Sequence, residues 1–192
     1  MLGKYKLLDS EIPNLCADRI DYSLRSLTPK FARTVLNQLE VIDGKVVCTN
    51  PKIAKDYAYK FLALQNNEWG SLEGVTRYYH FSEILKLAIK HKVLTLRDFN
   101  LDDIVLTKKM AESNLNIIVD KLHTLRTTDK MFYKDPKNIR VAYKKLRHID
   151  PKFLHPKTNK IDKLSNYDKE FKKVLEESKV ANNAGVEFTP WW

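Results

Sequence analysis

The sequence predicts a mainly α protein with a small β-hairpin and a short β addition in its C-terminal part. Three observations carry that expectation. Apolar residues recur at helical spacing through most of the first 126 residues. Helix starts are marked by capping residues, several of them beside proline. Against these stands a single strong hairpin signal, Asp43-Gly44 set between Val41-Ile42 and Val46-Val47.

In chain order, Ser10 is expected to cap a first helix from about Ile12, with Pro13 in its first turn and Leu15, Cys16, Ile20, Leu24 and Leu27 inward. Pro29 opens a short second helix through Phe31, Val35, Leu36 and Leu39. The hairpin follows at about 40–48 and is read as small and peripheral. Asn50-Pro51 supplies a cap and a proline at the first helical position of a third helix, which ends between Asn66 and Gly70. A long helix runs from Ser71 to about His91, with Val75, Tyr78, Tyr79, Ser82, Leu85 and Ala88 as its apolar stripe, widened by Ile84 and Leu87. Thr95 and Asp98 form a capping box for a short turn. Helices are expected from Asp102 to about Glu112 and from Asn114 to Arg126. Past Asp129, Ile139 to Ile149 reads as a strand or extended stretch stopped by Pro151, and a loop follows through His155 and Asn159. A last helix spans about Tyr167 to Lys179. The tail reads as irregular, with Trp191 and Trp192 docked on the body.

This order divides the chain into a helical part, 1–130, and a basic α+β appendage, 131–192. The net charge is +10. The stretch 134–173 holds thirteen lysines and arginines against five acids, a surplus of eight. Such a segment attracts polyanions, although evenly spread lysine is also what an ordinary solvated surface looks like. No run approaches the roughly twenty apolar residues of a membrane helix. The N-terminus has no signal-peptide pattern, and a cytoplasmic location is expected. Cys16 and Cys48 make neither a disulfide framework nor a zinc site, and both are expected reduced and buried.

The densest polar set is Cys16-Ala17-Asp18-Arg19-Ile20-Asp21-Tyr22-Ser23-Leu24-Arg25. On a helix, Asp18 with Tyr22 and Asp21 with Arg25 are i, i+4 neighbours. Spacing alone fits an amphipathic helix with ordinary ion pairs. It also fits a carboxylate for a divalent cation beside a guanidinium for the phosphates bound to it.

The string LCADRIDYSLR resembles the late motif of HD-domain phosphohydrolases, in particular the deoxynucleotide triphosphohydrolase-like branch, which reads roughly (D/N)ADR(I/M)DY-x-LRD. Weaker similarity continues through Asp43-Gly44-Lys45, FLALQNNEWG, VTRYYHFSEILKLA and LRHIDP, over about residues 8 to 180. The resemblance implies a helical bundle of the HD type and hydrolysis of nucleotide phosphates with the help of a divalent metal, Mn or Mg. It assigns Asp18 as the late metal ligand, Arg19 and Tyr22 as phosphate contacts, and Asp21 and Arg25 as supporting residues.

The family's remaining ligands, a His and a His-Asp pair, precede this motif. Here fifteen residues precede Cys16, none of them His, and none of His80, His91, His123, His148 and His155 is followed by Asp. Ser26 stands where the family has Asp. Arg77 to Ser82 looks like the family's early His motif but lies on the wrong side, so His80 is read as a helix residue at or near the core. His148 and His155 are read as surface or loop residues. A lone carboxylate does not hold a catalytic metal. Three readings therefore stand. The chain is part of a phosphohydrolase, inactive alone and completed by helices from a partner chain or an upstream segment; or it is a non-catalytic module binding nucleotide, nucleic acid or an acidic partner through its basic region; or it is an unrelated helical protein whose motif match is chance.

Overall fold

The computed structural model describes residues 5–127 and 135–192. Residues 1–4 of the N-terminal reading, 131–134 of the expected appendage and Lys134 of the basic run lie outside them. Helix dominates, and the described chain forms two compact units. The first combines residues up to Ser71 with Tyr143–Gly185; the second combines Leu72–Ala142 with Val186–Trp192.

In the first unit, α1 spans Ala17–Arg25 and α2 spans Pro29–Leu36. The start of α1 corrects the expectation of a helix from Ile12. The Arg19 guanidinium takes the carbonyls of Ser10 and Asn14, and the Pro13 carbonyl accepts from Asp150 N–H at 3.0 Å. The carbonyls that would open a helix at residue 12 are thus used by partners elsewhere. The Ile12–Pro13 peptide is cis. Helix α2 is capped by Thr28, with Pro29 at its first position.

Strands β1 (Leu39–Ile42) and β2 (Lys45–Cys48) form the expected hairpin, with Asp43 and Gly44 at φ 50° and 67°. Both positive φ angles suit a tight turn matched to the strand twist. The hairpin is not peripheral. β2 also pairs in parallel with β4 (Lys152–Leu154), and β4 pairs with β5 (Ile161–Lys163), giving the order β1-β2-β4-β5. Val47, Cys48 and Phe153 are buried by that pairing. Helix α3 (Pro51–Leu64) begins as its sequence directs: Asn50 Oδ1 accepts from the N–H groups of Lys52 and Ile53 at 3.0 and 3.2 Å. Asn50→Ala is expected to cost about 1 kcal/mol, measured by urea denaturation. A π-helical turn, Gln65–Trp69, ends the helix at Gly70.

Helices α7 (Leu164–Tyr167) and α8 (Lys169–Asn183) complete the first unit. The last helix therefore starts two residues later than expected and ends four residues later, capped by Asp168. Lys55 on α3 bridges Asp168 and Glu170 at 2.7 and 3.1 Å. The core gathers Leu15, Val35, Tyr57, Phe61, Ile149 and Phe171.

In the second unit, α4 (Leu72–Lys90), a 3₁₀ turn (Leu96–Asn100), α5 (Asp103–Ala111) and α6 (Asn116–Thr127) pack around Ile84, Leu94, Met110, Ile118 and Leu122. The Thr95–Asp98 capping box is present. The stripe of α4 is rotated from expectation: Tyr78 is 71% exposed, while Thr76 and His80 turn inward. Thr76 satisfies its hydroxyl on the Leu72 carbonyl at 2.7 Å, and His80 Nε2 accepts the Trp191 N–H at 3.1 Å. Trp191 stacks on His80 at 4.3 Å, so the tail docks as expected. The tail is not irregular throughout, because β6 (Val186–Phe188) pairs antiparallel with β3 (Arg140–Ala142). No helix of the described residues is long and apolar enough to cross a membrane.

Candidate functional site

The LCADRIDYSLR segment folds as the start and whole length of α1. Its inner side is fixed by Ser23, whose hydroxyl donates to the Arg19 carbonyl at 2.7 Å and meets Tyr57 Oη at 2.6 Å. Leu24 is buried beside it. The helix is thus held in one rotation, which decides where the polar residues point.

Asp18 is exposed in the first turn, and its carboxylate has no hydrogen bond or ion pair among the described residues. Its backbone N–H donates to the Leu8 carbonyl at 3.1 Å. One turn on, Tyr22 is half-buried, with its ring edge-on to Trp69 at 5.1 Å and tilted against Phe61 at 5.9 Å. Burial pushes the Tyr22 phenol up. The positive charges of Arg19 and Arg147 oppose that shift, and Asp18 adds to it. Asp18, Tyr22, Arg19 and Arg147 therefore share one electrostatic neighbourhood. Asp21 and Arg25 pair with each other on the exposed face and leave that neighbourhood to the others.

Arg19 is turned inward. One terminal nitrogen donates to the Asn14 carbonyl at 2.7 Å and to Cys16 Sγ at 3.2 Å, and the other donates to the Ser10 carbonyl. The planar fork of a guanidinium suits three acceptors arrayed at this angle. The same side chain lines a polar cavity of about 720 Å³ together with Lys6, Asp9, Glu11 and Lys145.

Arg147 did not emerge from the sequence as a site residue, although LRHIDP contains it. Its position depends on Gln65, which is fully buried in the π-helical turn. Gln65 donates to the Lys145 carbonyl at 3.4 Å and accepts from the Arg147 N–H at 3.2 Å. Asn182 takes the Lys144 carbonyl at 2.9 Å, and the Lys144 amine donates to the Gly70 carbonyl. Side chains thus satisfy this stretch, which is why the expected strand stops at Ala142. A β-carbon on Gly70 would crowd the Lys144 side chain and fall 2.8 Å from Nε2 of the buried Gln65, so the close approach suits glycine. Gln65→Leu leaves two backbone groups without partners, and a loss of about 2 kcal/mol is expected by urea denaturation.

Beside this face lies an apolar groove of about 620 Å³ between α1, α2 and the hairpin. Ala17, Ile20 and Leu24 line it from α1, and Leu36, Leu39 and Val41 line it opposite. Val41 is 61% exposed and Leu36 52%, so this is open apolar surface.

Among the described residues, no three of His, Cys, Asp and Glu come together to hold a metal ion. His80 lies buried in the second unit, its pKa lowered to about 4 chiefly by burial and also by Lys121. His148 is half-buried in the extended stretch, and burial lowers its pKa as well. His155 sits in the β4–β5 loop, where its ring nitrogen accepts from the Lys157 N–H at 3.2 Å. The described donor set does not by itself fit a catalytic metal. Both cysteines are free and buried, as expected.

The chain is similar to the uncharacterized protein YdhJ of Bacillus subtilis (strain 168), with 25% identity over 155 residues. The aligned region covers 78% of this chain and 48% of the relative, so the chain spans about half the length of the curated relative it matches. No family model matches the chain, and no solved structure matches it.

Proposed function

We propose that this chain is the late-motif part of an HD-type phosphohydrolase acting on nucleotide phosphates, completed by helices supplied from elsewhere. The observation that carries this reading is the α1 face. It holds an exposed, unpartnered Asp18 one turn from Tyr22, with Arg19 and Arg147 both acting on the Tyr22 phenol. A carboxylate without a cation of its own, one turn from a phenol within reach of two guanidinium charges, is an arrangement that can receive a cation and phosphate together. Asp18 is the late metal ligand and Tyr22 a phosphate contact. Arg19 contributes positive charge while it holds the loop before α1, and Asp21 with Arg25 supports the outer face.

The apolar groove supports the second half of the proposal. Ala17, Ile20 and Leu24 line the groove from α1, so a helix laid in it packs against the element that carries Asp18. The aligned region covers 48% of the relative, which leaves room there for such helices. On this reading the metal site is incomplete among the described residues, and the chain by itself is expected to be inactive.

The groove provides the test. The chain is tagged in its native cell and purified with whatever accompanies it. A companion carrying a His and a His-Asp motif is expected, and Val41→Asp, which sets a charge in the groove, is expected to release it. Recovery with no such companion, in a sample that is folded and without phosphate-releasing activity, contradicts the proposal.

A further inference from the structure

A second cavity lies in the first unit, on the hairpin side of the segment that precedes α1. It measures about 170 Å³ and is lined by Lys6, Ser10, Asn14, Gly44, Lys45 and Lys152, with apolar neighbours. Neither Asp18 nor Tyr22 lines it, and no carboxylate does. The three lysines come from three separate places: the turn before α1, the start of β2 and the start of β4. The β2–β4 pairing sets Val47 opposite Lys152, so Lys45 stands two residues along β2 from the residue that faces Lys152.

None of the three lysines has a salt bridge among the described residues. Lys152 is half-buried, and its amine donates to the Asn14 side-chain carbonyl. Burial lowers its pKa first, and the charges of Lys163 and Lys45 lower it further. Asp150 also acts on Lys152, but its carboxylate is spent on Ser165, accepting from the backbone N–H at 2.9 Å and the hydroxyl at 2.6 Å. Three ammonium groups around one small cavity repel each other, and an anion between them relieves that repulsion.

We infer that this cavity binds a small phosphate-bearing anion. A tetrahedral oxyanion offers acceptors to three ammonium donors at once, with the Ser10 hydroxyl and the Asn14 amide at the wall. The cavity is too small for a base and sugar to enter with the phosphate, so any larger portion of the ligand stays outside. This site stands on the lysine cluster alone and does not depend on the hydrolase reading.

The test is calorimetric titration of the purified chain with inorganic phosphate, pyrophosphate and acetate, at fixed ionic strength in chloride buffer. Saturable one-to-one binding of phosphate or pyrophosphate is expected, with acetate weaker. Lys45→Gln, at the exposed first position of β2, where the backbone pairing does not depend on the side chain, is expected to weaken binding at least about tenfold, as is Lys152→Gln. Lys169→Gln on α8, outside the cavity, is expected to leave affinity unchanged. Absence of saturable binding to the unaltered chain overturns the inference. So does equal weakening by Lys169→Gln, or preferential binding of a single-stranded oligonucleotide that Lys45→Gln does not weaken, since either describes a diffuse polyanion surface.

Discussion

Lowering the pH from 6.5 to 4 is expected to destabilise the second unit by about 3 kcal/mol through His80 alone. His80 is fully buried, its Nε2 accepts the Trp191 N–H, and its ring is stacked on Trp191. Accepting that bond requires the neutral imidazole. Burial, with Lys121 and Arg140 nearby, lowers the pKa from 6.5 to about 4 against a smaller opposing effect of Glu83. Between those two values the unfolded chain carries a proton that the folded chain does not. Stability therefore rises with pH across the window and falls on acidification, by roughly 1.4 kcal/mol for each unit of difference. Below pH 4 both states are protonated and the slope from this group ends. Urea denaturation at pH 7, 5.5 and 4.5, followed by Trp191 and Trp192 fluorescence in a Trp69→Phe background, reads the effect. His80→Gln keeps an acceptor for the Trp191 N–H and does not titrate, so its slope over the window is expected to be flatter. An equal slope in both proteins shows that His80 is not the source.

Arg19→Met is expected to cost about 3 kcal/mol, which an exposed phosphate contact would not. The side chain is buried and its guanidinium serves the carbonyls of Ser10 and Asn14 and the sulfur of Cys16. Methionine fills a similar length but donates nothing, so buried acceptors lose their partner. Lysine is not expected to rescue the loss, because one ammonium point does not reproduce a planar fork. The measurement is the urea midpoint of the three proteins. A midpoint unchanged in Arg19→Met shows that the loop before α1 holds without the guanidinium.

Features settled within four residues of chain were legible in the sequence. The Asn50 cap, the Asp43-Gly44 turn and the Thr95–Asp98 box all form as their local chemistry dictates. What was not legible depends on partners far along the chain. The start of α1 is decided by a side chain that captures carbonyls up to nine residues earlier and by a Pro13 carbonyl bonded to Asp150. The rotation of α4 is decided with Trp191, 111 residues away. Strand β6 carries no strong pattern of its own and exists because β3 pairs with it. The two units are also discontinuous in sequence, each assembled from two separate stretches of chain.

The candidate site divides along the same line. Asp18 and Tyr22 share a face because of helical spacing, which is visible in the string itself. Arg147 joins them from 125 residues beyond Tyr22 through the bonds that Gln65 makes to the extended stretch. The inward turn of Arg19 depends on the path of the chain over residues 10–16, which composition and spacing do not encode.

Phosphate release from dGTP and a mixed nucleotide panel in Mn²⁺ or Mg²⁺ tests the central claim most directly. It is run on the purified chain and on the complex recovered with it from the native cell, each with and without Asp18→Ala. No turnover is expected from the chain alone, and turnover by the complex is expected to be abolished by Asp18→Ala. Turnover by the chain alone, or turnover by the complex that is indifferent to Asp18, contradicts the proposal.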